Sequence, residues 1–233
     1  MYREQLEAYS QLLSRRAAGE PIQYIVGETE FYGLPFHVTR EVLIPRPETE
    51  HLVEKVLELL PLFSPPRIVD VGTGSGAIAI ALAHEWPSAV VTSIDVSSSA
   101  LELARRNAAR NGFADRIRFL EGDLLAPVAG EQFDVVVSNP PYVATVDRET
   151  LAAEVREHEP AVALFAGDDG LDVIRRLIPE ALAALVSGGY LLLEIGQSQS
   201  GATGDLLASA GYEAIEFVPD LQGIPRVAVA RRP

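Results

Sequence analysis

RIVDVGTGSGAIAIALAHEW, Arg67 to Trp86, passes from strand to helix through a glycine bend within 20 residues. Arg67 to Val71 reads as a short buried strand. Gly72-Thr73-Gly74-Ser75-Gly76 supplies residues that tolerate unusual backbone angles and close approach of a ligand, and the alanine-rich run from Ala77 to Trp86 reads as a helix. A helix starting there turns its unpaired N–H groups toward polar or anionic atoms. A second strand, VVTSID, ends in Asp95, about 20 residues past the bend, where a carboxylate can hold ribose hydroxyls. Strand, glycine bend, helix and acid-tipped strand together predict a parallel α/β sheet that binds ligands beyond the carboxyl ends of its strands.

The glycines fall at Gly72, Gly74 and Gly76, a G-x-G-x-G spacing. The dinucleotide fingerprint wants its third glycine one residue later, at Ala77, although it accepts Gly or Ala there. The spacing therefore disfavours a pyrophosphate cofactor without excluding it, and a nucleoside cofactor lacking one, S-adenosylmethionine first among them, fits at least as well. Asp70, at the end of the strand, would face that cofactor's ammonium group. The next strand, RIRFLEGD, ends at Asp123 and Leu124, placed to meet an adenine amino group and ring, though each also suits an ordinary turn or core position.

FDVVVSNPPYV, Phe133 to Val143, is another apolar strand, and Pro140 and Pro141 stop it abruptly. Pro140 also drives Asn139 away from the helical region, stiffening the corner. The corner offers a carboxamide, carbonyls beside residues without N–H, and the aromatic face of Tyr142. This set suits a planar group ending in NH2. An amide nitrogen, its lone pair tied up by resonance, is a poor nucleophile. Acceptors gripping its hydrogens favour the charge that develops as it attacks.

The chain has 233 residues, 48% hydrophobic and 22% charged, enough for one substantial domain with a small appendage. No stretch approaches the roughly 20 apolar residues of a membrane span, and the first residues lack an apolar signal core, so a cytoplasmic, non-membrane protein is expected. With no cysteine, disulfide and thiol chemistry are excluded. His37, His51, His84 and His158 match no metal-ligand spacing, so no metal is expected. A formal charge of −14 opposes loose binding to nucleic acid, and no nucleic-acid partner is expected.

Upstream, residues 3–18 carry Leu6, Tyr9, Leu12 and Leu13 at helical spacing. Gln23 to Thr39 reads as a β-hairpin, making residues 1–40 an N-terminal extension and 41–233 the main domain. Pro47, followed by Glu48 and Glu50, opens a further helix. Downstream, the long acidic segment Ala144 to Gly170 predicts a lid or substrate-facing element. Helices near 171–185 and 202–210, a strand at 190–196 and a closing hairpin complete the pattern.

Together, PIQYIVG (residues 21–27), IPRPETE (44–50), DVGTGSGAIAIALA (70–83), SNPPYV (138–143), EPAVALFAGDDGLDVIRRLI (159–178), LLLEIGQSQ (191–199) and DLQGIPRV (220–227) resemble the PrmC/HemK family. These methyltransferases modify the glutamine of the Gly-Gly-Gln motif in class 1 peptide-chain release factors. The Asn-Pro-Pro-Tyr corner is shared with other amino-group methyltransferases; IPRPETE alongside it is far more specific. The resemblance implies a doubly wound, seven-stranded, Rossmann-like sheet of an S-adenosylmethionine-dependent methyltransferase with its final strand antiparallel, and a monomer is expected. It implies that Gly72, Thr73, Gly74, Ser75 and Gly76 line the cofactor site together with Asn139, that Asp95 binds ribose, and that Asp123 and Leu124 flank adenine. Asn139, Pro140, Pro141 and Tyr142 would hold the substrate amide, with Asn139, Pro140 and Tyr142 catalytic and S-adenosylhomocysteine the product. Leu124 stands where relatives place an aromatic ring. The family usually carries several N-terminal helices that help dock the release factor, whereas about one precedes PIQYIVG, so a shortened front end is expected. Rival readings keep the chemistry and change the acceptor, to adenine N6 in nucleic acid or to another protein glutamine such as one in a ribosomal protein.

Overall fold

The computed structural model describes residues 2–233. Helix α1 (Tyr2–Ala17) leads into the short helix α2 (Ile22–Val26) and an antiparallel hairpin of β1 (Glu28–Phe31) and β2 (Leu34–His37). The expected hairpin thus begins later than Gln23. Pro21 precedes α2 and Gly27 ends it in the left-handed region at φ 84°, so residues 23–26 are helical. No residue of α1 is buried, and its apolar side chains face outward. What ties the end of α1 down is charge: buried Glu20 accepts from Arg15 and Arg40, which holds its carboxyl down at about 2.

Helix α3 (Glu48–Leu59) starts directly after Pro47 and buries Thr49, Leu52, Val53 and Val56. The doubly wound part follows as β3 (Arg67–Val71), α4 (Ala77–Glu85), β4 (Val90–Asp95), α5 (Ser98–Arg110), β5 (Ile117–Glu121) and β6 (Phe133–Ser138). Ser97 caps α5 by accepting from the Ala100 N–H at 3.2 Å. The acidic segment 144–170 holds α6 (Ala153–His158) and α7 (Ala161–Leu164), and then come α8 (Asp172–Ala184), β7 (Leu185–Glu194), α9 (Ser200–Ala210), β8 (Glu213–Pro219) and β9 (Pro225–Arg231).

The seven-stranded sheet runs β5-β4-β3-β6-β7-β9-β8. Its first five strands pair in parallel, and β9, antiparallel to both β7 and β8, is the one reversed strand. The order reverses between β3 and β6, the switch point where open α/β sheets leave a crevice. Apolar runs such as Val135-Val136-Val137 and Leu191-Leu192-Leu193 are buried on both faces because helices cover both sides. Alanine-rich α4, buried almost throughout, lets α3 and α5 approach closely. At Gly76 (φ 84°) a β-carbon would come within 3.0 Å of Ile80 and 3.2 Å of Ala104, so this glycine serves the close packing of α4 against α5.

Candidate active site

The ladder between β3 and β6 sets the site. Val71 pairs with Ser138, and the Ser138 hydroxyl donates to the Val71 carbonyl at 2.6 Å. Gly72 and Asn139 are the next residues on the two strands, so the glycine bend and the proline-stiffened corner leave the sheet side by side, from points about 4.8 Å apart. Both open into one cavity of about 340 Å³, within the range of small-molecule sites.

Of the residues singled out in the sequence, Gly72, Thr73, Gly74, Ser75, Asp95, Asp123, Leu124, Asn139, Pro140 and Pro141 line this cavity. Gly72 (φ 74°) and Gly74 (φ 55°) border open space, since a β-carbon on either would meet nothing within 4 Å. Asp95 braces the bend: its carboxylate accepts from the Gly74 N–H at 2.8 Å and the Ser97 N–H at 2.9 Å. Burial raises its pKa, against the pull of those backbone donors. Asp123 sits at the rim, paired with Arg176 at 2.5 Å, and Leu124 takes a positive φ of 48° where the chain turns.

Three residues stand elsewhere than their sequence context suggests. Gly76 lies behind the cavity wall, in the α4 and α5 contact. Asp70 is fully buried beneath the bend instead of facing the cavity; it accepts from the Thr73 hydroxyl at 2.6 Å, its second oxygen has no partner, and burial pushes its carboxyl up to about 7. Tyr142 is half-buried and does not line the cavity; its ring lies against Gly196. Its hydroxyl donates to Glu194 at 3.3 Å, and burial raises its pKa further, so it remains a donor.

The structure also brings in Thr49, which the sequence reading passed over, and Arg46, in the stiff Pro45-Arg46-Pro47 lead-in to α3. Thr49, the first buried residue of α3, lines the cavity beside Asn139 and accepts from its amide nitrogen at 3.1 Å. The Thr49 hydroxyl in turn donates to Glu194 at 2.6 Å. Arg46 lines the cavity as well and pairs at 2.5 Å with buried Glu159, between α6 and α7, while Val162 and Ala163 of α7 form part of the wall. The acidic segment 144–170 thus forms part of the cavity wall. Among the described residues no cluster of His, Asp or Glu could hold a metal ion, and no helix is long and apolar enough to cross a membrane.

A doubly wound sheet of this order, with a glycine bend and an Asn-Pro-Pro-Tyr corner sharing one cavity, defines a Rossmann-like methyltransferase. Residues 49–161 match the family model "Methyltransferase small domain", and residues 1–27 match "PrmC N-terminal domain". A methyltransferase from Pyrococcus furiosus superposes with a TM-score of 0.65 at 20% identity, over 94% of this chain and 98% of that one. The chain belongs to the release factor glutamine methyltransferase family. It is 46% identical over 226 residues to the release factor glutamine methyltransferase of Koribacter versatilis, covering 97% of this chain and 79% of the relative. To that of Deinococcus radiodurans it is 48% identical over 220 residues, covering 94% and 77%.

Proposed function

We propose that this chain transfers a methyl group from S-adenosylmethionine to the side-chain N5 of the glutamine in the Gly-Gly-Gln motif of class 1 release factors. One observation carries the reading: the glycine bend and Asn139 leave register-matched neighbouring strands and open onto a single cavity, in a chain closely similar to enzymes named for that reaction. On this reading residues 41–233 form the catalytic domain and residues 1–40 an extension, the enzyme works as a monomer in the cytoplasm, and the release factor is its partner.

The residues fit the cofactor. The backbone at Gly72 and Gly74 faces open space that side chains would fill, the N-terminus of α4 looks into the cavity through Ala77 and Ile78, and Asp95 keeps acceptor capacity for ribose hydroxyls beyond its two backbone donors. Asp123, with one oxygen on Arg176, has the other for an adenine amino group. When bound, S-adenosylmethionine supplies a methyl carbon activated by a sulfonium, so the carbon–sulfur bond breaks as the carbon–nitrogen bond forms, and the nitrogen then sheds a proton. What the chain must do is hold the nitrogen in line and exclude water. The Asn139 carboxamide oxygen and the Pro140 carbonyl accept from the two amide hydrogens, favouring the charge that grows on nitrogen. No strong base is required, because the alkylated nitrogen is acidic. Tyr142 acts from behind, through its tether to Glu194.

Replacing Asp95 tests the cofactor half. Asp95→Ala removes both the ribose acceptor and the brace on Gly74, and is expected to raise the cofactor Kd by about 10- to 100-fold, as read by calorimetric titration. An unchanged Kd would remove Asp95 from the site. Incubation with labelled cofactor and, in parallel, a release factor, an adenine-containing duplex and a ribosomal-protein fraction tests the acceptor. Label in the release factor is the expected result; label only in nucleic acid or ribosomal protein would replace this reading with one of its rivals.

A further inference from the structure

Glu194 sits at the end of β7, 2% exposed, and among the described residues no cation pairs with it. Its partners are two hydroxyls, Thr49 at 2.6 Å and Tyr142 at 3.3 Å. The charged groups around it are Glu48 on α3 and Arg226 on β9, and Arg226 is engaged with Asp220 at 3.0 Å. A carboxylate buried with only neutral donors is costly. Burial raises the pKa of Glu194 against the pull of those hydroxyls, and a carboxamide oxygen could accept from them at lower cost, so an acidic side chain at this position calls for a reason.

The reason lies one bond further on. A threonine hydroxyl has a single hydrogen, and a carboxylate at 2.6 Å claims it. The Thr49 oxygen is left with lone pairs alone on the side facing Asn139, so the half of the Asn139 amide turned toward it must be the NH2. That interaction is the 3.1 Å contact from Asn139 Nδ2 to Thr49 Oγ1. The carboxamide oxygen is consequently directed away from Thr49, and among the described residues no protein donor reaches it. Two-fold ambiguity in an asparagine side chain is thereby removed by a chain of donors, Asn139 to Thr49 to Glu194, that ends on a buried acceptor.

We infer that Thr49 and Glu194 are specificity-determining positioning residues: they lock the Asn139 amide with its oxygen toward the substrate, so that the site accepts from an amide N–H and rejects a carboxylate. The inference rests on the function proposed above. In the locked orientation a glutamine donates two hydrogens to the Asn139 and Pro140 oxygens. A glutamate in its place would bring its own oxygens against those two. With the lock removed, the Asn139 amide can rotate and offer its NH2 to a carboxylate instead. Neither Thr49 nor Glu194 exchanges a proton with the substrate in this scheme.

The test compares the wild type with Thr49→Val, which keeps the shape and deletes the hydroxyl, and Thr49→Ser, which keeps the hydroxyl. Thr49→Ala stands in for the valine variant should the second methyl group prevent folding. Two quantities are measured with whole release factor: kcat/KM for the Gly-Gly-Gln form, and the inhibition constant of a Gly-Gly-Glu form of the same factor. Thr49→Val is expected to lower kcat/KM and to shrink the preference for glutamine over glutamate by about tenfold or more, while Thr49→Ser keeps most of that preference. A purely structural role would change melting temperature or cofactor affinity but leave the ratio alone. An active wild type whose ratio is unmoved by Thr49→Val would overturn this inference and leave the proposed function standing. A wild type that methylates no release factor would overturn the proposed function, and this inference with it.

Discussion

Asn139→Ala is expected to lower kcat by about 10²- to 10³-fold while leaving the Kd for S-adenosylmethionine within about threefold. The asymmetry follows from where the side chain stands. The glycine bend, Asp95 and the rim at Asp123 lie on β3, β4 and β5, and none depends on the Asn139 carboxamide for its own hydrogen bonds. What the substitution removes is an acceptor for the nitrogen that must become positive, and an acceptor aimed at developing charge gives more to the transition state than to the ground state. The fold should survive, because the corner is held by Pro140 and Pro141, by the Ser138 hydroxyl on Val71 and by Gln199 donating to the Tyr142 carbonyl at 2.9 Å. Initial rates on whole release factor, combined with calorimetric titration of the cofactor, decide the matter; wild-type turnover would contradict the role given to this residue.

Gly170→Ala is the second large effect, and it arises outside the cavity wall. Gly170 ends the segment 144–170 at φ 75°, with its α-carbon against the back of the corner. A methyl group built there would run into the Tyr142 carbonyl oxygen and come within 2.9 Å of both the Ala144 nitrogen and Gln199 Nε2. Backbone strain and overpacking act together, for a loss of about 2–5 kcal/mol in unfolding free energy. Because the displaced atoms belong to the corner itself, kcat/KM should fall by at least about tenfold in whatever protein remains folded. Gly211→Ala is the comparison. Gly211 has a similar positive φ of 93° but open space around it, so it should cost only the backbone share, about 1–2 kcal/mol, with no effect on turnover. Denaturant unfolding and steady-state rates on both variants separate the two contributions; equal losses would mean that crowding of the corner is immaterial.

Much of the fold was open to reading because local and global signals agree. The run Arg67 to Val71 is a strand with those limits, the glycine bend follows it, and Ser97 caps α5 as its sequence context requires. Asp95 ends β4, Asp123 and Asn139 lie just past the ends of β5 and β6, and all three line one crevice, as the geometry of such sheets demands. Residues 23–26 misled because Ile, Tyr and Val favour strands while the flanking Pro21 and Gly27 close a single helical turn. Tyr142 and Asp70 misled for another reason: sequence position places a residue at a strand end without saying which way its side chain turns, and neither lines the cavity.

Glu194 was within reach of the same rule that found Asp95, since LLLE is an apolar strand ending in an acid at the edge where the cavity forms. Thr49 was not. It stands in the first turn of α3, 90 residues before Asn139, and only the packing of that helix over the end of the sheet brings the two hydroxyl and amide groups together. Partners of that separation are set by tertiary packing, which carries no local signature.

The central claim is that one cavity brings an activated methyl carbon to an amide nitrogen gripped by Asn139. Its most direct test is fragment-ion mass spectrometry of whole release factor after incubation with this enzyme and S-adenosylmethionine. A single added methyl, localised to the side chain of the Gly-Gly-Gln glutamine and missing when Asn139→Ala replaces the wild type, is the result the account predicts. A methyl on any other residue, or on that glutamine at full rate without Asn139, would contradict it.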